Sequence, residues 1–345
     1  MVAKGKVLVL TVALVTVGWA GCAGTDPAET EDPDTDEEAP LTAEIPRWQL
    51  GDAWTYSIDT HGFPQTETTM MVYNETADLY RIGSTDEDTA LQHAIFEVNP
   101  QLGRLQKGNL GVYEKGEPRS MYDFPIQDGD EWTTSFFVRQ HEGELDAEAT
   151  YSDAIETEAG TFEGFEIVAE GDDGFRLTYD YIPEIQWFSK LIVTDQDGTQ
   201  LHELRLQDHE RETSGTGYFV RPDKLHDQSY TSEDCSFPSG CTDQVLVDGA
   251  SAKDGKYGPY DLVAYNVVVS IPNPDNDRAS VQITDGEGNE IYSRQDITSS
   301  EGDEFEFETV RDFEPGDWTI DVSTQNDAEV DVALAGGWSY SETVE

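Results

Sequence analysis

Apolar and polar residues alternate along most of this chain with the two-residue period of β-strands. From Trp48 onward, alternating or β-branched runs recur at 53–59, 68–73, 77–82, 91–98, 132–138, 162–169, 175–181 and 186–194. Several end on turn residues such as Asp172-Asp173-Gly174 and Asp195-Gln196-Asp197-Gly198. The run 201–210 sets Leu201, Glu203, Arg205 and Gln207 against His202, Leu204 and Leu206, and reads as a strand rather than a helix. Carboxylates recur at the outward positions, the pattern of antiparallel strands with one face on a core and one in solvent. No amphipathic helix of four turns stands out after the N-terminal apolar segment, which argues against parallel α/β designs. Between 215 and 230 Gly, Pro and polar residues cluster and the alternation lapses, which marks a boundary. Beyond it a second set of strands is predicted at 244–247, 262–271, 279–284, 290–293, 304–310, 318–323 and 328–335, with Asp285-Gly286-Glu287-Gly288-Asn289 as a hairpin turn. That rhythm suits a sandwich. The chain is therefore expected to be all-β: a curved antiparallel sheet or half-barrel domain over 46–222, then a smaller β-sandwich domain over 223–345.

One small motif recurs in both parts. Gly51-Asp52-Ala53-Trp54-Thr55, Gly129-Asp130-Glu131-Trp132-Thr133 and Gly316-Asp317-Trp318-Thr319 each place Gly-Asp ahead of a Trp-Thr strand start. Gly supplies the permissive backbone, Asp bonds nearby amides, and Trp enters the core. Exposed sugar-stacking platforms are the alternative for Trp54 and Trp132, but the alternating residues that follow favour the core.

The N-terminus has its own logic. Lys4 and Lys6 precede an apolar stretch over 7–20, and Trp19-Ala20-Gly21-Cys22 ends in small residues and a cysteine. This resembles the lipobox of bacterial and archaeal lipoproteins, with Trp19 where an aliphatic residue is usual. The resemblance implies a signal peptide over 1–22, diacylglycerol on the Cys22 thiol, and membrane lipid as a partner on the outer face of the cell membrane. Plain secretion with Cys22 incidental and an uncleaved signal anchor are the alternatives. Against the anchor, the apolar run is shorter than the roughly 20 residues a spanning helix needs. Residues 23–45 carry nine acidic residues, no basic one, and Pro27, Pro33 and Pro40, a composition that reads as a disordered spacer.

Charge sharpens the setting. There are 72 Asp and Glu against 20 Lys and Arg, a formal net charge of -52, and only eight of the basic residues are Lys. Such repulsion opposes compaction at low salt and is screened within about 3 Å at 1 M. Few lysines with evenly spread carboxylates resemble proteins of extreme halophiles, most often haloarchaea. Nucleic acid is excluded as a partner, because phosphate binding needs the opposite sign.

Candidate chemistry is sparse. With Cys22 assigned to lipid, Cys235 and Cys241 remain to pair across a Pro-Ser-Gly turn, a disulfide that an exported protein permits. The histidines are scattered, and 202–206 ends in Leu206 where a zinc-protease helix needs its second His. No nucleophile elbow, phosphate loop or dinucleotide fingerprint occurs, so no catalytic residue and no cofactor are assigned. Asn273, Asp275 and Asp277 are calcium candidates by donor spacing, yet Arg278 stands where a calcium loop needs Gly, and a plain connecting loop is the simpler reading. Asn74-Glu75-Thr76 is an acceptor sequon, so Asn74 is a glycosylation candidate on an exported surface.

Two further resemblances bear on function. The segments 48–56, 124–132, 159–165 and 181–188 look like exported proteins with curved antiparallel half-barrels, including LolA/LppX-like lipoprotein carriers. That implies a concave face able to hold an apolar ligand, and no catalytic residues. Gly316-Asp317-Trp318-Thr319-Ile320-Asp321-Val322 resembles prepeptidase-C-terminal-like β-sandwich modules of secreted proteins. The expectation is a lipid-anchored, non-enzymatic binding, carrier or envelope-interaction module. A membrane-tethered hydrolase with a site assembled from separated strands is the alternative.

Overall fold

The computed structural model describes residues 41–60, 65–95, 102–113, 119–138, 141–248, 259–273, 275–298 and 304–345. Cys22, the signal segment and the spacer up to residue 40 lie outside the described residues.

The two-residue period is realised in nearly every element. In the first part the strands are β1 (Ala53–Thr60), β2 (Thr66–Glu75), β3 (Leu79–Ser84), β4 (Gly103–Gln106), β5 (Glu131–Val138), β6 (His141–Thr157), β7 (Gly160–Glu170), β8 (Arg176–Tyr181), β9 (Lys190–Thr194) and β10 (Gln200–Glu210). Then come β11 (Gly215–Tyr230), β12 (Cys241–Val247), β13 (Leu262–Ser270), β14 (Arg278–Thr284), β15 (Glu290–Ile297), β16 (Glu304–Val310), β17 (Gly316–Gln325) and β18 (Glu329–Val344). One large sheet runs β16-β13-β18-β11-β3-β2-β1-β10-β9-β8-β7-β6-β5, with β4 on β3, and a second sheet runs β12-β17-β14-β15. The protein is all-β, as its alternation predicts.

Two hydrophobic cores follow from these faces. The first gathers Trp48, Trp54, Tyr56, Met70, Phe165, Tyr179, Tyr181, Trp187 and Phe188 with the inward aliphatics of β6 to β10. The second lies between the small sheet and β13, β18 and the end of β11, around Val267, Ile283, Trp318, Ile320 and Val332. Residues 215–230, where the alternation lapses, are strand β11, paired with β18 from Gly215↔Val344 to Tyr230↔Val330. Its register slips between Lys224 and His226, so the inward positions change parity along the strand and no single alternation is visible.

One predicted strand is corrected. Residues 91–98 were expected to be extended, but Glu87–Ile95 form helix α1. Asp86 starts it: its carboxylate accepts the Thr89 N–H at 2.7 Å, and Glu87 and Asp88 follow in the first turn. Ala90 and Leu91 are buried, and Leu91 packs on Val220, Leu262, Ala264 and Ala335, on the sheet face away from the second core. Those contacts stabilise a helix too short to persist alone.

The Gly-Asp turns repeat in geometry as well as in sequence. Gly51 (φ +88°) and Gly129 (φ +80°) both adopt a left-handed backbone. Gly51 donates its N–H to Val72 O and Gly129 donates its own to Ala149 O, while Asp52 and Asp130 carboxylates accept the N–H of Gln49 and Gln127 at 2.8 and 2.7 Å. Each turn launches a strand, β1 or β5, that pairs with the next. Trp54 then enters the core at 1% exposure, and Trp132 packs against the same core from a half-buried position.

Candidate functional site

The core face of the β1 to β10 run is filled by the chain itself. Buried indole and phenol tips need acceptors, and the 182–188 turn provides them: Trp48 Nε1 donates to Gln186 O (3.0 Å), Trp54 Nε1 to Ile185 O (2.9 Å) and Tyr56 OH to Phe188 O (2.7 Å). Trp187 sits among these rings, with centroids 4.8 Å from Trp48 and 4.6 Å from Trp54. Gln186 is held at φ +62° at the turn's apex, where its carbonyl meets the Trp48 indole. The segment 119–126 closes the other side, with Tyr122 OH donating to Asp180 O at 2.9 Å and Tyr179 OH donating to Met121 O at 2.5 Å. The space that a half-barrel carrier would offer an apolar ligand is thus occupied by the protein's own side chains.

The opposite, outward face carries the concave features. One cavity of about 370 Å³ is lined by Glu148, Thr150 and Ser152 of β6 and Glu166 and Val168 of β7, with Tyr151 between them in β6; the Tyr151 ring is turned to the core side, 6.1 Å from its register partner Phe165. A second, of about 310 Å³, lies between the tip of the β6–β7 hairpin (Glu156, Thr157, Glu158) and Ser189, Lys190, Arg205 and Leu206. The hairpin reaches over the sheet because the β6 register slips between Ser152 and Ile155. Gly164 opposite it leaves no room for a side chain: a Cβ there would lie 2.6 Å from Tyr181 O and 3.0 Å from Ile155. Glu166, at the first cavity, and Lys190, at the second, form an ion pair across β8, Nζ to Oε2 at 3.5 Å. Arg205 pairs with Glu203 at 2.5 Å.

Beneath the second cavity lies Asp180, fully buried. Ser189 donates to it twice, from N–H at 2.5 Å and Oγ at 2.6 Å, and Lys190 N–H lies at 3.4 Å. Burial pushes its carboxyl up to about 6 against these hydrogen bonds and the Lys190 charge, which act downward. Burial, with the Asp180 charge second, also raises the Tyr56 phenol well above its ordinary value. Asp180 therefore ties β8 to the start of β9 and fixes the floor on which Ser189 and Lys190 stand.

The other candidate residues are spread out. Cys235 and Cys241 form a disulfide, with Cα atoms 4.8 Å apart. Asn74 lies near the end of β2 opposite Arg81, and its side-chain amide donates to Glu342. Asn273, Asp275 and Asp277 close a turn on themselves: Asp277 is buried and accepts the Asn273 N–H at 2.8 Å, and Asn273 Oδ1 accepts the Asp275 N–H at 3.3 Å. Among the described residues no group of three His, Cys, Asp or Glu side chains converges as a metal site. No described helix is long and apolar enough to cross a membrane.

A network missed in the sequence joins β11 to β12. His226 Nε2 lies 2.7 Å from Tyr230 OH, which donates to Asp243 Oδ2 at 2.7 Å, and burial lowers the His226 pKa while Asp243 and Asp227 oppose it. Tyr260 and Tyr265 likewise donate to Asp223 and Glu308, each at 2.6 Å. A signal for this use existed in the excess of carboxylates near tyrosines, but pairing them requires the strand register. His202 is buried with Nδ1 2.7 Å from Thr60 Oγ1, and His209 stands apart from it, lowered in pKa first by burial and then by Arg211. His61 and the side chains of His93 and His141 lie outside the described residues.

No family model matches the chain, and no curated protein does. Among solved structures, infectious bursal disease virus, Gx strain, is similar at 9% identity and a TM-score of 0.20, covering 88% of this chain and 80% of that one. Carbohydrate-binding modules of the β-sandwich superfamily are similar at 12% identity and a TM-score of 0.17, covering 63% of this chain and 95% of that one. At these scores neither likeness bears on fold or function.

Proposed function

We propose that the protein is an exported, lipid-anchored binding module without catalytic activity, adapted to concentrated salt. Cys22 carries the lipid, residues 23–45 form the spacer, and the domains over 46–222 and 223–345 stand off the outer face of the cell membrane to engage an envelope component. The observation that carries the binding role is the division of the two sheet faces. The core face is filled by Trp48, Trp54 and Trp187, while the outward face holds two cavities, with Glu166 at one paired to Lys190 at the other. A binding role on the outward face follows in preference to carriage of an apolar ligand within. The Cys235–Cys241 disulfide supports an oxidising location and leaves Cys22 as the remaining one of three cysteines. A tethered hydrolase would draw on Asp180, but that carboxylate is sealed beneath Ser189 with both oxygens engaged.

The tether is tested by mass spectrometry of the mature protein. Lipid on Cys22 is expected, together with release into the medium or an unprocessed precursor for Cys22→Ser. Unmodified Cys22 on mature wild-type protein refutes the tether. The binding role is tested by co-sedimentation of the detergent-solubilised full chain with cell envelopes in concentrated salt. Retention reduced by the double variant Glu166→Ala and Lys190→Ala is expected, and absence of retention refutes the role.

A further inference from the structure

The sandwich part has one sheet edge without the usual protection. β12 ends the small sheet: β17 pairs with it on one side from Cys241↔Val322 to Val247↔Gly316, and among the described residues no strand pairs with its other side. Outside the β17 ladder, no described backbone bond reaches residues 242–247. Such an edge is a template for another strand, and proteins blunt it with charge, bulges or cover. The other two edges of this part are blunted. β15 carries Arg294 and Asp296, with Asp296 at φ +53° and register shifts along its pairing with β14. β16 carries Glu304, Glu306 and Glu308. β12 has a single charged residue, Asp243, whose carboxylate is already engaged by Tyr230 OH at 2.7 Å. Its outward positions, Thr242, Gln244 and Leu246, are exposed and uncharged, and Leu246 is 56% exposed.

The strand is complementary to a second copy of itself. Val245 and Val247 are buried while the even positions face out, so an added strand must match that parity or turn its apolar side chains to solvent. A twofold axis at Asp243 satisfies parity but sets that carboxylate against its own copy. An axis at Gln244 pairs all 7 residues of β12: Cys241 with Val247, Thr242 with Leu246, Asp243 with Val245, and Gln244 with Gln244. No like charges then face each other across the pair, and Leu246 gains the Thr242 methyl of the other copy as a neighbour. Roughly six to eight backbone hydrogen bonds form across such a pair. The contact is the same patch on both copies, so it closes at two. Two chains of net charge -52 repel at a distance, but 1 M salt screens that repulsion within about 3 Å and leaves short-range backbone bonds in place.

We propose that β12 is a self-association edge: in concentrated salt two copies of the chain join through antiparallel β12 strands, about a twofold axis at Gln244. The test uses the full chain in detergent and concentrated salt. Light scattering over a dilution series is expected to show a monomer–dimer equilibrium. Gln244→Cys is expected to cross-link into a covalent dimer on mild oxidation, because directly opposed residues of an antiparallel pair have Cα atoms about 4.5–5.5 Å apart, within disulfide reach. Gln282→Cys, on the same sheet face but two strands in from the edge, is expected not to cross-link. Gln244→Glu places two carboxylates face to face and is expected to weaken dimerisation about fivefold. Neither Gln244 nor Gln282 is buried, so all three variants are expected to fold; unchanged tryptophan emission checks this, since Trp318 lies in the adjoining core. A monomer at every concentration, with no cross-link through Gln244→Cys, overturns the assignment. A dimer indifferent to Gln244→Glu, or cross-linked equally through Gln282→Cys, places self-association on another surface and overturns it as well.

Discussion

Replacing Asp180 with Asn isolates the energetic cost of a buried carboxylate. The side chain is fully buried, and its carboxyl titrates at about 6 rather than at the ordinary 3.8. Because the folded value is raised, the stabilising contribution is present below pH 3.8 and is lost as pH rises through about 6. The gap between those values corresponds to about 3 kcal/mol. Asn is nearly isosteric and does not titrate: its carbonyl oxygen accepts from Ser189 N–H, and its amide donates to Ser189 Oγ in place of the serine hydroxyl donating to the acid. Relative to wild type, Asp180→Asn is therefore expected to gain stability as pH rises from below 3.8 to above 6, by about 3 kcal/mol across the window. Denaturant unfolding of both proteins in concentrated salt, repeated through this range, measures the difference. The many other carboxylates titrate in both proteins alike and cancel in it. Parallel pH curves for the two proteins refute the assignment of a raised pKa to Asp180.

Three further outcomes are expected. Gly51→Ala and Gly129→Ala both place a side chain on a left-handed backbone, at a cost of about 1 kcal/mol; Gly51→Ala costs more, because its Cβ would lie 2.5 Å from Thr213 O whereas the space at Gly129 is open. Equal denaturation midpoints for the two variants contradict this. Replacing Cys235 and Cys241 together with Ser lowers stability by about 2 kcal/mol, as expected for a sequence separation of 6; an unchanged midpoint contradicts it. Dialysis from concentrated to dilute salt lowers the melting temperature as the screening length grows to about 10 Å at 0.1 M. A melting temperature independent of salt contradicts the role given to the net charge of -52.

Strands with strict alternation were legible because their two faces meet different surroundings. β1, β5, β8, β14 and β16 fall within a residue or two of the predicted runs. The signal was lost along two long strands, β6 and β11, whose register slips mid-strand. β11 slips at Lys224, and β6 slips between Ser152 and Ile155, so neither shows one continuous period. Helix α1 was misread because the tertiary contacts of Leu91, rather than local periodicity, decide its conformation. Trp48 and Trp187 stand 139 positions apart, and only the packed fold places their rings 4.8 Å from one another.

The outward cavities were not legible for the same reason. Glu166, Lys190 and Arg205 come from three strands, and only the sheet order brings them to the same face. By itself the sequence determined the all-β class, the Gly-Asp turns and the pairing of Cys235 with Cys241, because each depends on residues close together in the chain. Which sheet face is closed by aromatic rings and which is left open was decided by the tertiary structure alone. That choice depends on which side the 182–188 turn and the β6–β7 hairpin fold toward, and contacts between distant residues set it.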